Sequence, residues 1–96
     1  MAGEMKWKGK RIFLTIHAVE QFLKRRIPEH EIIDMLARGI HVPNPNYEGR
    51  MLCIYKVSRD SYYTVAYKEG KTSVAIITGF PSSAWDVRQY KKVRRT

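Results

Sequence analysis

Residues 51–80 read MLCIYKVSRDSYYTVAYKEGKTSVAIITGF, and their apolar residues recur with a period of two rather than with the helical period. Three runs within this stretch are rich in β-branched and aromatic residues, as strands are, and they cover residues 51–57, 62–68 and 73–80. The connections between these runs are short enough for hairpin turns. Three sequential strands joined in this way predict an antiparallel meander.

Two helices are predicted on the N-terminal side of this meander. Residues 16–26 carry apolar side chains at spacings of three and four, and Thr15 before them is a suitable N-cap. Pro28 breaks this first helix and can occupy the first position of a second one. Gly39 ends the second helix, since glycine is the common residue just past a helix C-terminus.

The remaining segments complete the predicted architecture. An edge strand is expected at residues 11–14 and a short helix at residues 84–92. A chain of 96 residues suffices for one domain, 1–96, with basic terminal segments at 1–11 and 86–96. The predicted fold class is α+β, with two N-terminal helices packed on a small antiparallel sheet of three to four strands.

The charge of the chain indicates a polyanionic partner. There are 18 Lys and Arg residues against 9 Asp and Glu residues, which gives a net charge of +9. Segments 1–11 and 86–96 carry +3 and +4 of this charge, so the body at residues 12–85 retains only +2. Basic tails that attract RNA phosphates are one interpretation, and tails that only keep a small protein soluble are the other.

Several absences in the sequence bear on compartment and chemistry. The apolar stretches are four to five residues long, far below the roughly 20 needed to span a bilayer. No secretory leader opens the chain, and the single cysteine, Cys53, cannot form an internal disulfide. No Cys/His cluster has the spacing of a zinc site. We therefore expect a cytoplasmic protein with no membrane partner, no metal and no cofactor.

One histidine is a candidate for acid–base chemistry on RNA, which needs a general base, a general acid and fixed cations. His17 falls in the first turn of the first helix, where the helix N-terminus favours the neutral imidazole that acts as a base. A histidine that only packs is the alternative. His30 lies between two glutamates on an exposed turn, and His41 precedes a proline-rich turn with no evident partner.

Other polar residues are candidates for binding the phosphate. Arg25 follows His17 by eight residues, roughly 12 Å along a helix axis, so its long side chain could reach the same phosphate. Thr78 places a hydroxyl near the end of the last strand. A solvated charge run and an ordinary strand residue are the respective alternatives. Five further cations are candidate RNA-binding residues: Arg26, Lys56, Arg88, Lys91 and Lys92.

The pattern as a whole resembles a family of small bacterial and archaeal domains of uncharacterised function. The resemblance rests on His17-Ala18, on Arg25, on the helix pair that continues to residue 39, and on the closing Ile-Thr-Gly-Phe-Pro of residues 77–81. The closing segment is also similar to the ending of contact-dependent-inhibition toxin tips. The wider group is the barnase, EndoU, colicin and RelE-like ribonuclease superfamily. The resemblance covers residues 15–82 and implies two helices packed on an antiparallel sheet.

Carried over to this chain, the resemblance implies metal-independent RNA cleavage with three site residues. His17 would be the acid or base, Arg25 the phosphate cation, and Thr78 the strand-end hydroxyl near the reacting phosphate. Three positions depart from the pattern of the family, in which arginine, glycine and tyrosine would stand at Gln21, Arg26 and Phe80.

Two functional hypotheses follow. The first is a RelE-like or BrnT-like toxin, monomeric or homodimeric, that cuts RNA and is silenced by a cognate antitoxin protein. The second is a non-catalytic module on the same fold that binds RNA or a partner protein. Gln21 in place of an arginine and the nearly neutral body of the chain favour the second.

Overall fold

The computed structural model describes residues 5–94, which leaves the outermost parts of the two basic terminal segments, 1–4 and 95–96, outside the described residues. Nine elements follow one another along the chain. They are β1 (Lys6–Trp7), β2 (Lys10–Leu14), α1 (Ile16–Lys24), α2 (Glu29–Arg38), β3 (Ile40–Pro43), β4 (Met51–Ser58), β5 (Ser61–Glu69), β6 (Ser73–Pro81) and α3 (Ala84–Arg94).

The two predicted N-terminal helices are confirmed. The hydroxyl of Thr15 caps α1 by accepting a hydrogen bond from the Ala18 backbone N–H at 3.1 Å. Pro28 is the N-cap residue of α2 rather than its first helical residue. Gly39 ends the helix as predicted, but its φ of −73° is not that of the left-handed cap expected of a glycine there. Both helices are amphipathic, and each turns its buried residues towards the sheet.

The sheet has six strands in the order β1-β2-β6-β5-β4-β3. The predicted meander forms its larger part, because β4, β5 and β6 pair antiparallel through short turns. On the other side of β6 lies β2, and these two strands are parallel. The remaining pairs, β1–β2 and β3–β4, are antiparallel, so the sheet is mixed.

The predicted fold class is therefore wrong in its sheet. The RelE/barnase-like layout of two helices before a small antiparallel sheet of three to four strands does not describe six strands that span the chain on both sides of the helices. The additional strands are short: β1 has two residues, and β3 has four, the last of them Pro43. Strands of this length carry too little alternation to be recognised. The C-terminal helix is present and extends to Arg94, two residues past its predicted end.

The sheet curls towards the face that α1 and α2 cover. Trp7 on β1 and His41 on β3 belong to opposite edges, yet their rings stack with centroids 5.0 Å apart. In a flat sheet, five steps of about 4.8 Å would separate these edges by about 24 Å. Since His41 lies opposite Cys53 of the core in the β3–β4 register, the two edges meet on the core side and make a half-barrel.

The two faces of the sheet have different partners. One face packs against α1 and α2 and forms the main core, in which β4, β5 and β6 contribute Cys53, Tyr63, Val65, Tyr67, Val74 and Ile76. On the other face, α3 packs across β4 and β3. This second face is only partly covered by α3, and the uncovered part holds the candidate site.

Candidate functional site

A cleft of about 780 Å³ lies on the face of the sheet that carries α3. Its floor is a row of side chains that the strand register places side by side: Leu52 on β4, Ala66 on β5 and Thr78 on β6. Three other parts of the chain form its walls, namely the start of α1, the loop between β3 and β4, and the first turn of α3. The cleft therefore gathers residues that are distant in sequence.

The start of α1 reaches this cleft because β2 is shorter than β6. The β2–β6 pairing ends at Leu14 opposite Ile76, so residues 77–81 have no strand beside them on that side. Immediately after this point the chain turns into α1 at Ile16. His17 is thereby placed at the exposed end of the pairing and lines the cleft.

Thr15 fixes the position of His17 relative to β6. While its hydroxyl oxygen caps α1, its hydroxyl hydrogen is donated to the Ile77 carbonyl at 2.9 Å. Ile77 is the extra residue at an irregularity in the β5–β6 register, where Tyr67 faces Ile76 and Ala66 faces Thr78. The Thr15 side chain thus connects the start of α1, two residues before His17, to Ile77, the residue just before Thr78.

The loop between β3 and β4 supplies a cation and an aromatic ring. The Asn44 side-chain oxygen accepts a hydrogen bond from the Asn46 backbone N–H at 2.9 Å, and backbone bonds from Asn44 to Arg50 and from Arg50 to Tyr47 close the loop. The Arg50 guanidinium carbon lies 4.8 Å from the centroid of the Tyr47 ring. Arg50 and Tyr47 both line the cleft, and the Tyr47 side chain is exposed.

The first turn of α3 forms the opposite wall and is held by a capping box. The Asp86 carboxylate accepts the Ser83 backbone N–H at 3.1 Å, and the Ser83 hydroxyl accepts the Asp86 backbone N–H at 3.2 Å. The same carboxylate accepts the Thr64 hydroxyl of β5 at 2.8 Å. Asp86 is 4% exposed, so these bonds anchor α3 to the sheet and hold the half-buried Trp85 at the cleft.

The structure brings two of the three predicted catalytic residues together. His17 and Thr78 line the same cleft, whereas Arg25 does not. Arg25 is the C-cap residue of α1, and its positive charge acts on Tyr63, which belongs to the core on the other face of the sheet. Burial raises the pKa of the Tyr63 hydroxyl, and the Arg25 charge opposes that rise.

The five predicted RNA-binding cations are all exposed, and none lines the cleft. Arg26 lies just past α1 with a φ of 56°. Lys56 is on β4, where its Nζ lies 5.9 Å from the Tyr62 ring centroid. The other three, Arg88, Lys91 and Lys92, are on α3.

Four residues of the cleft were missed from the sequence: Tyr47, Arg50, Trp85 and Asp86. Two of them had a local signal. Ser83 followed three residues later by an acidic residue is the pattern of a capping box, which would have predicted the role of Asp86. For Arg50, the signal was its position just after the turn-forming residues 43–46.

A second cluster of titratable groups lies around His41 and is closed. One ring nitrogen, Nδ1, lies 2.7 Å from the Tyr67 hydroxyl, and the other, Nε2, lies 2.9 Å from the Leu36 carbonyl. The Trp7 ring covers the imidazole. Burial lowers the pKa of His41, and burial also raises the pKa of Tyr67 above its ordinary value. Both nitrogens of this histidine are occupied within the fold.

Cys53 is buried in the core, where its thiol donates a weak hydrogen bond to the Met35 carbonyl at 3.1 Å. Burial raises the pKa of this thiol to about 12. Within residues 5–94, no three His, Cys, Asp or Glu side chains lie close enough together to hold a metal ion. Nor does any helix in that part of the chain have the length and apolar character needed to cross a membrane.

Comparison with protein-family models, with curated proteins and with solved structures gives no match for this chain. The family resemblance therefore rests on the quoted motifs alone.

Proposed function

We propose that the chain is an endoribonuclease that cleaves RNA by attack of a 2′-hydroxyl on the adjacent phosphate, without the aid of a metal ion. One observation carries this proposal: His17 of α1, Arg50 of the β3–β4 loop and Thr78 of β6 line a single cleft. A base and a cation are two of the groups that such a reaction uses, and a hydroxyl can orient the phosphate. They come from three distant parts of the chain.

His17 is the proposed general base. Its side chain is exposed at the cleft and has no hydrogen-bond partner among residues 5–94, so a ring nitrogen is available to take the 2′-hydroxyl proton. The 2′-oxygen then forms a bond to phosphorus, and the bond from phosphorus to the 5′-oxygen breaks. Water entering the open cleft gives a proton to the leaving 5′-oxygen, and the hydroxide that remains takes the proton back from His17. The products are a 2′,3′-cyclic phosphate and a 5′-hydroxyl, and the imidazole is neutral again.

Arg50 replaces Arg25 as the proposed phosphate cation. A guanidinium in the cleft can donate two hydrogen bonds to the phosphate oxygens as negative charge develops on them. Its stacking against Tyr47 and the closed loop reduce the freedom of the side chain before RNA binds. Thr78 would orient the same phosphate through its hydroxyl.

Trp85 and Tyr47 offer rings for the bases on either side of the cleaved bond. Stacking on aromatic rings is how proteins commonly hold unpaired bases, and it tolerates different base identities. The net charge of +9 supplies further attraction to RNA. Under this proposal, the chain acts as a toxin in the cytoplasm, and an antitoxin protein restrains it.

The second candidate function is a non-catalytic RNA-binding module on the same fold. The observation in its favour is the position of Arg25, the cation that the family pattern assigns to the phosphate, outside the cleft. A module of this kind would bind RNA in a salt-dependent manner and leave it intact.

The test is incubation of the purified protein with total RNA in the presence of EDTA, and separately with translating ribosomes in a buffer that contains the Mg²⁺ they require. We expect wild type to cleave RNA and His17→Ala to lose about 10²–10⁴-fold in rate, as removal of a general base does. His30→Ala is the matched control, since His30 is exposed on α2 and does not line the cleft. Intact RNA in both assays with wild type would contradict the nuclease and support the binding module.

Two arginine variants separate the structural assignment from the family-based one. Arg50→Ala is expected to lower the rate about 10²–10³-fold, in the range for loss of a group that stabilises transition-state charge. Arg25→Ala is expected to change the rate little. A larger loss of rate in Arg25→Ala than in Arg50→Ala would instead assign the role of phosphate cation to Arg25.

A further inference from the structure

We infer that the exposed side of α3 and the adjacent part of the β4–β5 hairpin bind the single-stranded RNA that continues beyond the cleft. The inference rests on the proposed function and names the form of its substrate, an unpaired strand several nucleotides long. Four side chains carry it, and we call them the aromatic row: Lys56, Tyr62, Tyr90 and Arg94.

The aromatic row is continuous. The Nζ of Lys56 lies 5.9 Å from the centroid of the Tyr62 ring. The Tyr62 and Tyr90 rings meet edge to face with centroids 5.2 Å apart. At the far end, the Arg94 guanidinium carbon lies 5.6 Å from the centroid of the Tyr90 ring. Two rings thus lie between two cations along a line from β4 to the end of α3.

The exposed side of α3 carries charge of one sign, and the β4–β5 turn adds Arg59 and Asp60, whose charges cancel. The exposed side of α3 carries Arg88, Lys91, Lys92 and Arg94. The only acidic residue of this helix, Asp86, is buried and occupied by its bonds to Thr64 and Ser83. Among residues 5–94, no carboxylate forms an ion pair with a cation of α3, so this positive charge is not compensated. Phosphates are the complementary ligand.

The aromatic row begins next to the cleft. The backbone N–H of Ser82 donates to the Tyr62 carbonyl at 3.1 Å, so the strand that carries Tyr62 adjoins the start of α3. The next residues, Ser83 and Trp85, belong to the cleft wall. Along α3, Tyr90 follows Trp85 by five residues, about 7.5 Å of helix axis, so a strand that leaves the cleft past Trp85 can reach the Tyr90 ring and the Tyr62 ring beside it.

The aromatic rings favour an unpaired strand over a duplex. Base faces are available for stacking only where the bases are unpaired, whereas a duplex offers its phosphates and ribose groups. Lys56 and Arg94 are exposed, and the Arg94 guanidinium donates to the Arg38 carbonyl at 3.0 Å, a hydrogen bond that a phosphate can replace when RNA binds. Phosphate contacts alone would bind both forms of RNA.

The test measures fluorescence anisotropy with a labelled 12-nucleotide RNA, single-stranded or annealed to its complement, at several salt concentrations around 0.1 M. The protein carries His17→Ala in every sample, so the RNA stays intact. Adding Tyr62→Leu and Tyr90→Leu is expected to weaken single-strand binding about tenfold or more, with little effect on the duplex and on the salt slope. The double variant Lys91→Gln with Lys92→Gln is expected to weaken the binding of both forms of RNA. It is also expected to lower the salt slope, the change of log affinity with log salt concentration, by about two.

Controls keep this test independent of folding. Tyr62→Phe with Tyr90→Phe retains both rings and is expected to retain affinity, which a merely destabilised protein would not. Lys71→Gln removes a cation from the β5–β6 turn, outside the aromatic row, and is expected to leave the preference for single strands unchanged. Melting curves by circular dichroism verify that each variant is folded.

Equal binding of the single strand and the duplex, or single-strand binding unaffected by the tyrosine-to-leucine changes, would overturn the inference. The outcome for the proposed function is read separately, from cleavage by wild type. Absence of cleavage together with a tyrosine-dependent preference for single strands would remove the nuclease and retain this surface. Cleavage without that preference would retain the nuclease and remove this surface.

Discussion

His17 and His41 occupy two regions of the molecule that differ in almost every respect. His17 is exposed at an open cleft, without a hydrogen-bond partner among residues 5–94. His41 lies under Trp7 with both ring nitrogens in contact with other groups, Tyr67 and the Leu36 carbonyl. His41 has more neighbours than His17, but both of its ring nitrogens already have partners and neither can bind a substrate. The proposed general base is therefore the histidine with an unoccupied nitrogen at a cleft, not the histidine with more neighbours.

The partners of His41 fix the role of one ring nitrogen. A carbonyl oxygen can only accept, so Nε2 carries a hydrogen and donates to the Leu36 carbonyl. Burial lowers the pKa of His41 and so favours the neutral imidazole, in which Nδ1 accepts from the Tyr67 hydroxyl. Through these contacts His41 joins β3 to α2 and β5, and its stacking on Trp7 joins the two edges of the sheet.

The largest effect on stability is expected from His41→Ala. The change removes a stacked ring and leaves the Tyr67 hydroxyl and the Leu36 carbonyl without partners, so the free energy of unfolding should fall by about 2–4 kcal/mol. His17→Ala is the matched variant in the other region and should change it by less than about 0.5 kcal/mol. Urea denaturation followed by circular dichroism measures both. Equal losses of unfolding free energy in the two variants would show that the His17 and His41 regions do not differ in their contribution to stability.

A smaller effect is expected from Thr15→Val, which keeps the shape of the side chain and removes its hydroxyl. Loss of the α1 cap and of the bond to the Ile77 carbonyl should lower the free energy of unfolding by about 1–2 kcal/mol. Because the placement of His17 relative to Thr78 depends on this hydroxyl, the cleavage rate should also fall, by about tenfold or more. Thr15→Ser should restore most of both quantities. A serine variant no better than valine would show that the methyl group is what matters.

The smallest effect is the pH dependence that His41 confers on stability. Its pKa is lower in the folded protein than the ordinary value of 6.5, so below that pH the unfolded chain binds a proton that the folded protein does not. Stability from this group is complete above pH 6.5, declines as the pH falls below it, and levels off below the folded pKa. The charges of Lys8 and Glu69 also act on this ring, in opposite directions.

Denaturation midpoints of wild type and His41→Gln between pH 7.5 and pH 5 measure this dependence, over the window set by the ordinary histidine pKa. The slope of the denaturation midpoint against pH should be present in wild type and absent in the variant. Glu69 titrates lower, because the hydrogen bond from Lys10 holds its pKa below 4.5. Its contribution is present above pH 4.5 and is lost only as the pH falls further. A slope that survives His41→Gln would assign the titration to another group.

The sequence predicts the parts of the fold that have a long local pattern. The two helices and the meander of β4, β5 and β6 have enough residues for a period of 3.6 or of two to be recognised. The pairing of β2 with β6 has no local signal, since 62 residues separate Arg11 from its partner Ser73. The strand at 11–14 was expected, but at an edge, where β1 lies instead.

The candidate site likewise contains residues that have a local signal in the sequence and residues that have none. His17 was found because a helix start is a local feature, and Thr78 because a strand end is another. Arg50 reaches the cleft through the conformation of a loop, and Arg25 leaves it because the helix axis carries it away from His17. The partners of His41 come from α2, β5 and β1, so no spacing within the sequence could have indicated them.

The position of β6 has a consequence for the order in which the protein forms during synthesis. This strand is the last in the sequence, yet it lies between β2 and β5 within the sheet. Until it has left the ribosome, β2 has no partner for its parallel pairing, and Thr15 has no Ile77 carbonyl to hold it. Contacts between such distant segments also form slowly, because a long loop must close first. A nascent chain therefore carries His17 before its cleft is assembled, and the site forms only once the residues from Ile77 to Asp86 are free to fold.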